Sequence, residues 1–245
     1  MMVKMILFDL DGTLLPMDQE VFTKAYFKRL AAKLAPHGYE PEKLIAGIWT
    51  GTAAMVNNDG SCINEEAFWK CFSGAFGDRV LRDKPIFDEY YRVEFQEVAA
   101  VCGCNPKAKE TVDVLKQAGY RLALATNPLF PAVATESRIR WAGLEPEVFE
   151  LYTTYENTGY CKPNPDYYRD LLKRLHCKAD ECLMVGNDVD EDMIAETVGM
   201  KVFLLTDCII NKNGKNIAAY AQGGFDELRQ YMRSIQPGNP IDKGE

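Results

Sequence analysis

Short, largely apolar runs at residues 5–8, 120–125, 182–185 and 202–205 are too brief for amphipathic helices. They read as strands buried on both faces, as in a parallel sheet. Residues 148–153 read as one further short strand. Between these runs lie stretches with helical spacing and turn-forming ends. Residues 106–117 open at Asn105-Pro106 and close at Gly119, 131–141 stop at Gly143, and 166–175, 193–198 and 226–234 follow. Strands alternating with helices predict βαβ units, and so an α/β fold with a Rossmann-like, doubly wound parallel sheet as its core. The chain is expected to fray from Pro237 onward.

From Gln19 to Val101 the rhythm is helical only. Val21, Tyr26, Phe27, Leu30 and Leu34 recur near helical spacing until Pro36-His37-Gly38, and 44–56 form a second piece stopped by Asn57-Asn58-Asp59-Gly60-Ser61. Residues 65–76, with a start at Asn64, and 86–101 supply two more. The predicted division is therefore a catalytic core of residues 1–16 and 102–245, interrupted after its first strand by a helical domain of residues 17–101.

With 245 residues, 47% of them hydrophobic and 26% charged, the chain has ordinary globular composition. A formal charge of −8 disfavours nucleic acid and anionic membranes as partners, since both call for clustered Lys and Arg. No apolar run approaches membrane-spanning length and no signal-peptide pattern opens the chain, so a cytoplasmic protein is expected. The eight cysteines are scattered without CxxC spacing, and His37 and His176 add too little for a zinc site. Cys102-Gly103-Cys104, the one close pair, reads as small residues at the junction between the two domains, where Gly103 could act as a hinge.

The chemistry gathers at strand ends. Asp9 and Asp11 follow the first strand directly, spaced i, i+2, where ligands bind in open α/β sheets. Two acids so close repel unless a cation or proton separates them. Gly12 allows close approach of the backbone to a ligand, and Thr13 can hydrogen-bond the loop. A plain Asp-Gly turn is the simplest competing reading. An EF-hand loop beginning at Asp9 would place Glu20 at its twelfth position, but Leu14 stands at the sixth, Pro16 interrupts it and a strand precedes it. The second core strand ends in Thr126-Asn127, Lys162 sits in a loop stiffened by Pro163 and Pro165, and the run at 182–185 leads to Gly186-Asn187-Asp188, with Asp190, Glu191 and Asp192 behind. Carboxylates, a hydroxyl and an amine converging on one sheet edge suit Mg²⁺ and a phosphoryl group.

In this order, Asp9-Leu10-Asp11-Gly12-Thr13, Thr126, Lys162-Pro163 and Gly186-Asn187-Asp188 with Asp192 resemble the four motifs of the haloacid dehalogenase superfamily of aspartate-nucleophile phosphatases. The helical block occupies the place of that family's C1-type cap. The resemblance implies that Asp9 is the nucleophile, that Asp11 is the general acid and then base, and that Lys162 neutralises charge. It implies that Gly12, Thr13, Thr126 and Asn127 bind the substrate, and that Mg²⁺ is held by Asp9, the carbonyl of Asp11 and Asp188. Asn187 and Asp192 would support them, Asp192 by orienting Lys162 or a metal-bound water. The family usually has an acid directly after the glycine of its fourth motif, and here Asn187 stands there. Asp188 is the expected ligand, with Asn187, Asp190 and Asp192 as alternatives.

An acid at position 11 is similar to phosphatases and phosphomutases rather than dehalogenases. The implied activity is Mg²⁺-dependent hydrolysis of a small phosphorylated metabolite through an aspartyl-phosphate. A sugar-phosphate mutase, or a non-catalytic binding protein that keeps the fold, are the rivals. The helical block is expected to be a mobile cap that selects the substrate, with site-facing residues among Trp49, Thr50, Thr52, Asn57 and Asn58.

Overall fold

A computed structural model describes residues 2–235; the fraying expected from residue 237 lies outside these residues. Strand β1, Met5–Phe8, is completely buried. Its side chains alternate between two apolar clusters: Ile6 and Phe8 face one, Met5 and Leu7 the other. A strand that must satisfy apolar surroundings on both sides has no polar position to spare, which is why its sequence is uniformly apolar.

Strands β2 (Arg121–Leu124), β3 (Cys182–Gly186), β4 (Lys201–Leu205) and β5 (Ala221–Gly223) complete a parallel sheet of order β2-β1-β3-β4-β5. The chain leaves β1 for one side and returns to its other side through β3, so β1 lies at the point where the winding reverses. Phe8 pairs with Leu124 on one flank and with Val185 on the other. The residues that follow these three strands therefore emerge at one level along one edge, where ligands bind in doubly wound sheets. Helices α5 (Pro106–Gln117), α6 (Ala132–Trp141) and α8 (Phe225–Ile235) contribute to the cluster on the Ile6 face, and α7 (Pro165–Arg174) with the 3₁₀ turns Met193–Val198 covers the other.

Two sheet expectations need correction. Residues 148–153 do not form a strand. They run along the free edge of β2 and exchange backbone hydrogen bonds with it, Glu150 N to Leu122 O (2.8 Å) and Leu124 N to Leu151 O (2.8 Å), but pair only at the single bridge Leu124–Tyr152. A 3₁₀ turn at Pro146–Val148 occupies the residues that would have begun the strand. Conversely, no strand is expected where β5 forms. It is a three-residue edge strand of Ala-Gln-Gly, held by backbone pairing and carrying no apolar run.

The block between β1 and α5 is helical throughout: α1 (Gln19–Leu34), α2 (Pro41–Val56), α3 (Asn64–Phe76), α4 (Arg79–Arg92) and a 3₁₀ helix, Glu94–Val101. Asp18 caps α1, its Oδ1 accepting from the N–H groups of Glu20 (2.9 Å) and Val21 (3.0 Å). The buried face of α1 carries Phe22, Tyr26, Phe27, Leu30 and Leu34, whereas Val21, expected on that face, is exposed. The run expected at 86–101 is two elements. α4 begins seven residues earlier, because Pro85 is tolerated on an exposed turn where the missing N–H leaves only the exposed Leu81 unbonded, and the helix changes character at Val93. The connections of the block run side by side: Met17 and Cys102 form an antiparallel bridge, and Gly103 N donates to Pro16 O (2.7 Å). A Cβ at Gly103 would press within 3.0 Å of the Pro16 ring, so the glycine serves this close crossing.

Candidate active site

Asp9 is the first residue past β1, and its backbone N–H still belongs to the sheet, donating to Val185 O (2.9 Å). Its side chain is 10% exposed. Lys162 Nζ, 1% exposed, donates to Asp9 Oδ1 (2.9 Å) and to Asp192 Oδ1 (2.6 Å). Burial opposes the charge of this lysine, but the two carboxylates outweigh it and hold the amine cationic well above its ordinary range. Asp192 is fixed at its other oxygen, which accepts the N–H of Asp188 (2.9 Å), and burial raises its carboxyl. Gly186 makes this possible, since any Cβ there would collide with the Asp192 carboxylate.

Asp11 stands beside Asp9 with one oxygen, Oδ2, paired to the guanidinium of Arg138. Its Oδ1 is buried and without a partner. Burial raises the Asp11 carboxyl, and the neighbouring Arg138 charge pulls it back down. Arg138, on α6, is fully buried, donates to Ala134 O and Thr135 Oγ1 (3.3 Å each) and lies 4.5 Å over the Phe130 ring. The sequence reading missed it. The available signal was its place on the buried face of α6, one turn after Ala134 and next to Ile139.

Other expected site residues divide into those that face the cavity and those that brace it. Asp9, Asp11, Thr126, Asn127, Asn187, Asp188, Glu191 and Asp192 all line one cavity of about 260 Å³ between sheet edge and helical block. Gly12 and Thr13 do not line it: Gly12, at φ 86°, packs so tightly that a Cβ would strike the Asn187 amide, and Thr13 donates to Asn187 Oδ1 (2.9 Å). The other end of that amide donates to Cys208 O (2.7 Å), so Asn187 bridges two loops with both its polar atoms. Thr126 is locked through its carbonyl, which accepts from Thr153 Oγ1 (2.6 Å) and the Tyr167 hydroxyl (2.8 Å). Asn127 Nδ2 is directed at Glu191 Oε2 (3.0 Å), leaving its buried Oδ1 without a partner. Burial raises the Glu191 carboxyl as well.

Among the acids of the loop after β3, Asp190 points away to Lys215 (2.6 Å) and Asn213 (2.8 Å) on the surface. Asp188 faces the cavity, with Oδ1 accepting the N–H groups of Asp190 (2.8 Å) and Glu191 (3.0 Å). Among the described residues no three His, Cys, Asp or Glu side chains form a ready-made metal cage. Mg²⁺, a hard cation, keeps several waters and takes one or two carboxylates, and Asp9 and Asp188 both line the cavity. Of the five residues expected to face the site from the block, Trp49 and Thr52 line the cavity. Thr50 bonds Ala46 O (2.8 Å) and Asn57 bonds Ala53 O (2.8 Å) on the exposed side of α2, and Asn58 is buried against Asn64 (2.9 Å) as an internal brace.

Comparison with known proteins agrees with this geometry. The pattern of the haloacid dehalogenase-like hydrolases matches residues 3–195. The chain is 26% identical over 202 residues to pyrophosphatase PpaX of Bacillus velezensis, covering 81% of each protein. It is 27% identical over 210 residues to ribulose-1,5-bisphosphate 5-phosphatase of Halopiger xanaduensis, covering 83% of this chain and 84% of that one. The crystal structure of a HAD phosphatase from Thermococcus onnurineus superposes with a TM-score of 0.58 at 21% identity, over 95% of this chain and 98% of that one. The chain belongs to the haloacid dehalogenase-like hydrolase family, alongside relatives that are phosphatases.

Proposed function

We propose that this phosphatase hydrolyses a small phosphorylated metabolite in two steps through an aspartyl-phosphate on Asp9, and that it depends on Mg²⁺. The observation that carries the reading is Asp9 itself. It is a nearly buried carboxylate at the end of the central strand, fixed at Oδ1 by Lys162 and set beside Asp11 on the floor of a cavity. Its other oxygen, Oδ2, is the nucleophile for phosphorus, and the leaving oxygen takes the proton of Asp11. Asp11 then removes a proton from the water that attacks the aspartyl-phosphate, returning both acids to their starting states. Lys162 balances the charge gathered on Asp9, and Thr126 hydrogen-bonds the phosphoryl oxygens.

Asp9, the carbonyl of Asp11 and Asp188 would hold Mg²⁺, which when bound supplies the positive charge that lets carboxylates and a phosphate dianion approach one another. The helical block, residues 17–101, acts as a cap, and its aromatic cavity wall and paired connections over the site favour that role. The eight free cysteines suit a cytoplasmic enzyme. Asp9→Asn is the direct test: it removes the nucleophile at constant shape, so phosphate release from any ester should fall below detection while the melting temperature stays close to that of the parent protein. Retained turnover, or failure to trap a beryllofluoride adduct at position 9, refutes the mechanism.

A further inference from the structure

The floor of the cavity is polar and acidic, whereas the wall contributed by the helical block is mainly aromatic, with Gln19, Thr23, Thr52 and Asp88 interspersed. Phe22, Phe27, Trp49, Trp69, Phe87 and Tyr91 face it from α1, α2, α3 and α4. Their rings interlock, with Trp69 meeting Phe87 edge-on at 5.5 Å and Trp49 tilted on Phe27 at 5.4 Å. Trp49 stays 54% exposed although it lines the cavity and leans on Phe27, so much of one large indole is left uncovered. The hydroxyls of Tyr26 and Tyr91, two of the lining rings, are engaged with each other at 2.8 Å.

The distribution of charge points the same way. Of the described residues lining the cavity, Lys212 alone is cationic, and it comes from the core, not from the block. The block contributes one charged group to the lining, the carboxylate of Asp88. A substrate with a second phosphate or a carboxylate would bring that anion against Asp88 in a site of low local dielectric, with no lining cation on the same wall. A polyol would find only Gln19, Thr23, Thr52 and the Trp69 indole N–H among these rings to meet its hydroxyls, and most of the ring surface would stay uncovered.

Resting on the phosphatase reading above, we infer that the substrate is a phosphomonoester whose alcohol carries a flat aromatic group and no second anion. The ring lies between Trp49 and the inner aromatic wall, and Asp88 favours a ring that bears a hydrogen-bond donor or a positive charge over one that bears a carboxylate.

Benzyl, cyclohexylmethyl and 4-carboxybenzyl phosphates, with glycerol 3-phosphate and acetyl phosphate, separate the possibilities, because the first three leave as alcohols of similar reactivity. Burial of the ring should give benzyl phosphate a kcat/KM about a hundredfold above that of glycerol 3-phosphate and a few-fold above that of the cyclohexylmethyl ester. The 4-carboxybenzyl ester should fall about tenfold below benzyl, and Asp88→Asn should restore most of that loss while changing benzyl turnover less than about twofold. Trp49→Ala, at a position 54% exposed, should lower kcat/KM for benzyl phosphate about tenfold, mainly through KM, and lower that for acetyl phosphate far less. Glycerol 3-phosphate or the carboxybenzyl ester matching benzyl phosphate overturns the inference, as does a Trp49→Ala loss shared equally by all donors. If no donor at all releases phosphate, the phosphatase reading fails, and binding then decides the pocket separately. Benzylphosphonate at least tenfold tighter than methylphosphonate, read by tryptophan fluorescence, upholds the aromatic subsite, and equal affinities reject it.

Discussion

The Arg138–Asp11 pair offers the sharpest test of how the site is tuned. Arg138→Met keeps the length and most of the volume of the side chain but removes its charge from a fully buried position. The hydrogen bonds lost to Ala134 and Thr135 are long, so the main loss is the ion pair with Asp11. Removing one partner of a buried pair costs about 3–5 kcal/mol when the other stays charged. Asp11 can escape that penalty by taking a proton, at about 1.4 kcal/mol for each pH unit between the solution and its pKa. Burial already raises the Asp11 carboxyl and Arg138 holds it back, so the variant pushes it further up.

The sign follows from linkage. A carboxyl whose folded value lies above its unfolded one supports the folded state at low pH, and that support is lost as pH rises through the folded value. The variant should therefore be destabilised by about 3 kcal/mol at pH 8 and by less than about 1 kcal/mol at pH 5, measured by urea unfolding. The pH–rate inflection that belongs to Asp11 should move upward, whichever of its two proton transfers limits the rate. In an Asp11→Asn background the same change should cost little, because the pair is already broken. A destabilisation equal at both pH values and undiminished in that background, together with an unmoved inflection, would show that Arg138 only fills space.

Two further predictions concern the loop after β3. Asp188→Ala should raise the Mg²⁺ concentration needed for half-maximal activity at least tenfold, whereas Asp190→Ala, whose carboxylate is occupied at the surface by Lys215 and Asn213, should leave it within about twofold. Titration of both variants after EDTA treatment checks this, and the reverse order would move the ligand. Gly186→Ala should lower stability by about 1–3 kcal/mol and reduce activity, since its methyl group would displace Asp192 from Lys162. A melting temperature and turnover equal to those of the parent would mean that Asp192 can step aside without harm.

What the sequence made legible was the part of the site whose residues sit at the ends of buried strands. Uniformly apolar runs at 5–8 and 182–185 placed Asp9 and Asp188 at one edge, because a strand buried on both faces has only its end at which to present a charge. Lys162 was readable through its proline-flanked loop, though its position between Asp9 and Asp192 is a tertiary fact. Periodicity failed where faces are ambiguous. Val21 and Phe22 are adjacent apolar residues, and only packing decides which of them turns inward. It failed again at β5, which has no side-chain pattern to find, and at α4, where Pro85 looks like a boundary but sits on an exposed turn. Asn187 departs from the expected acid because an amide, which both donates and accepts, is what ties Thr13 to the Cys208 carbonyl, while the next residue presents the carboxylate.

Arg138 marks where linear reading runs out, since its partner lies 127 positions away. Its helix shows what the distance hides. Ala134, one turn before Arg138, belongs to the apolar cluster of the helical block, and Ile139, directly after it, belongs to the cluster beneath the sheet. Trp141 at the end of the same helix packs tilted on Phe95 of the block, ring centroids 5.0 Å apart. So α6 is wedged between the two bodies, and the charge that offsets the effect of burial on Asp11 is carried by the element on which the block rests. The block's connections also cross within a few residues of Asp11, at Pro16 and Gly103. Arg138 is fully buried on that wedged helix and held by Asp11, Ala134, Thr135 and the Phe130 ring, and a guanidinium held that firmly can bias a carboxylate without moving during the reaction.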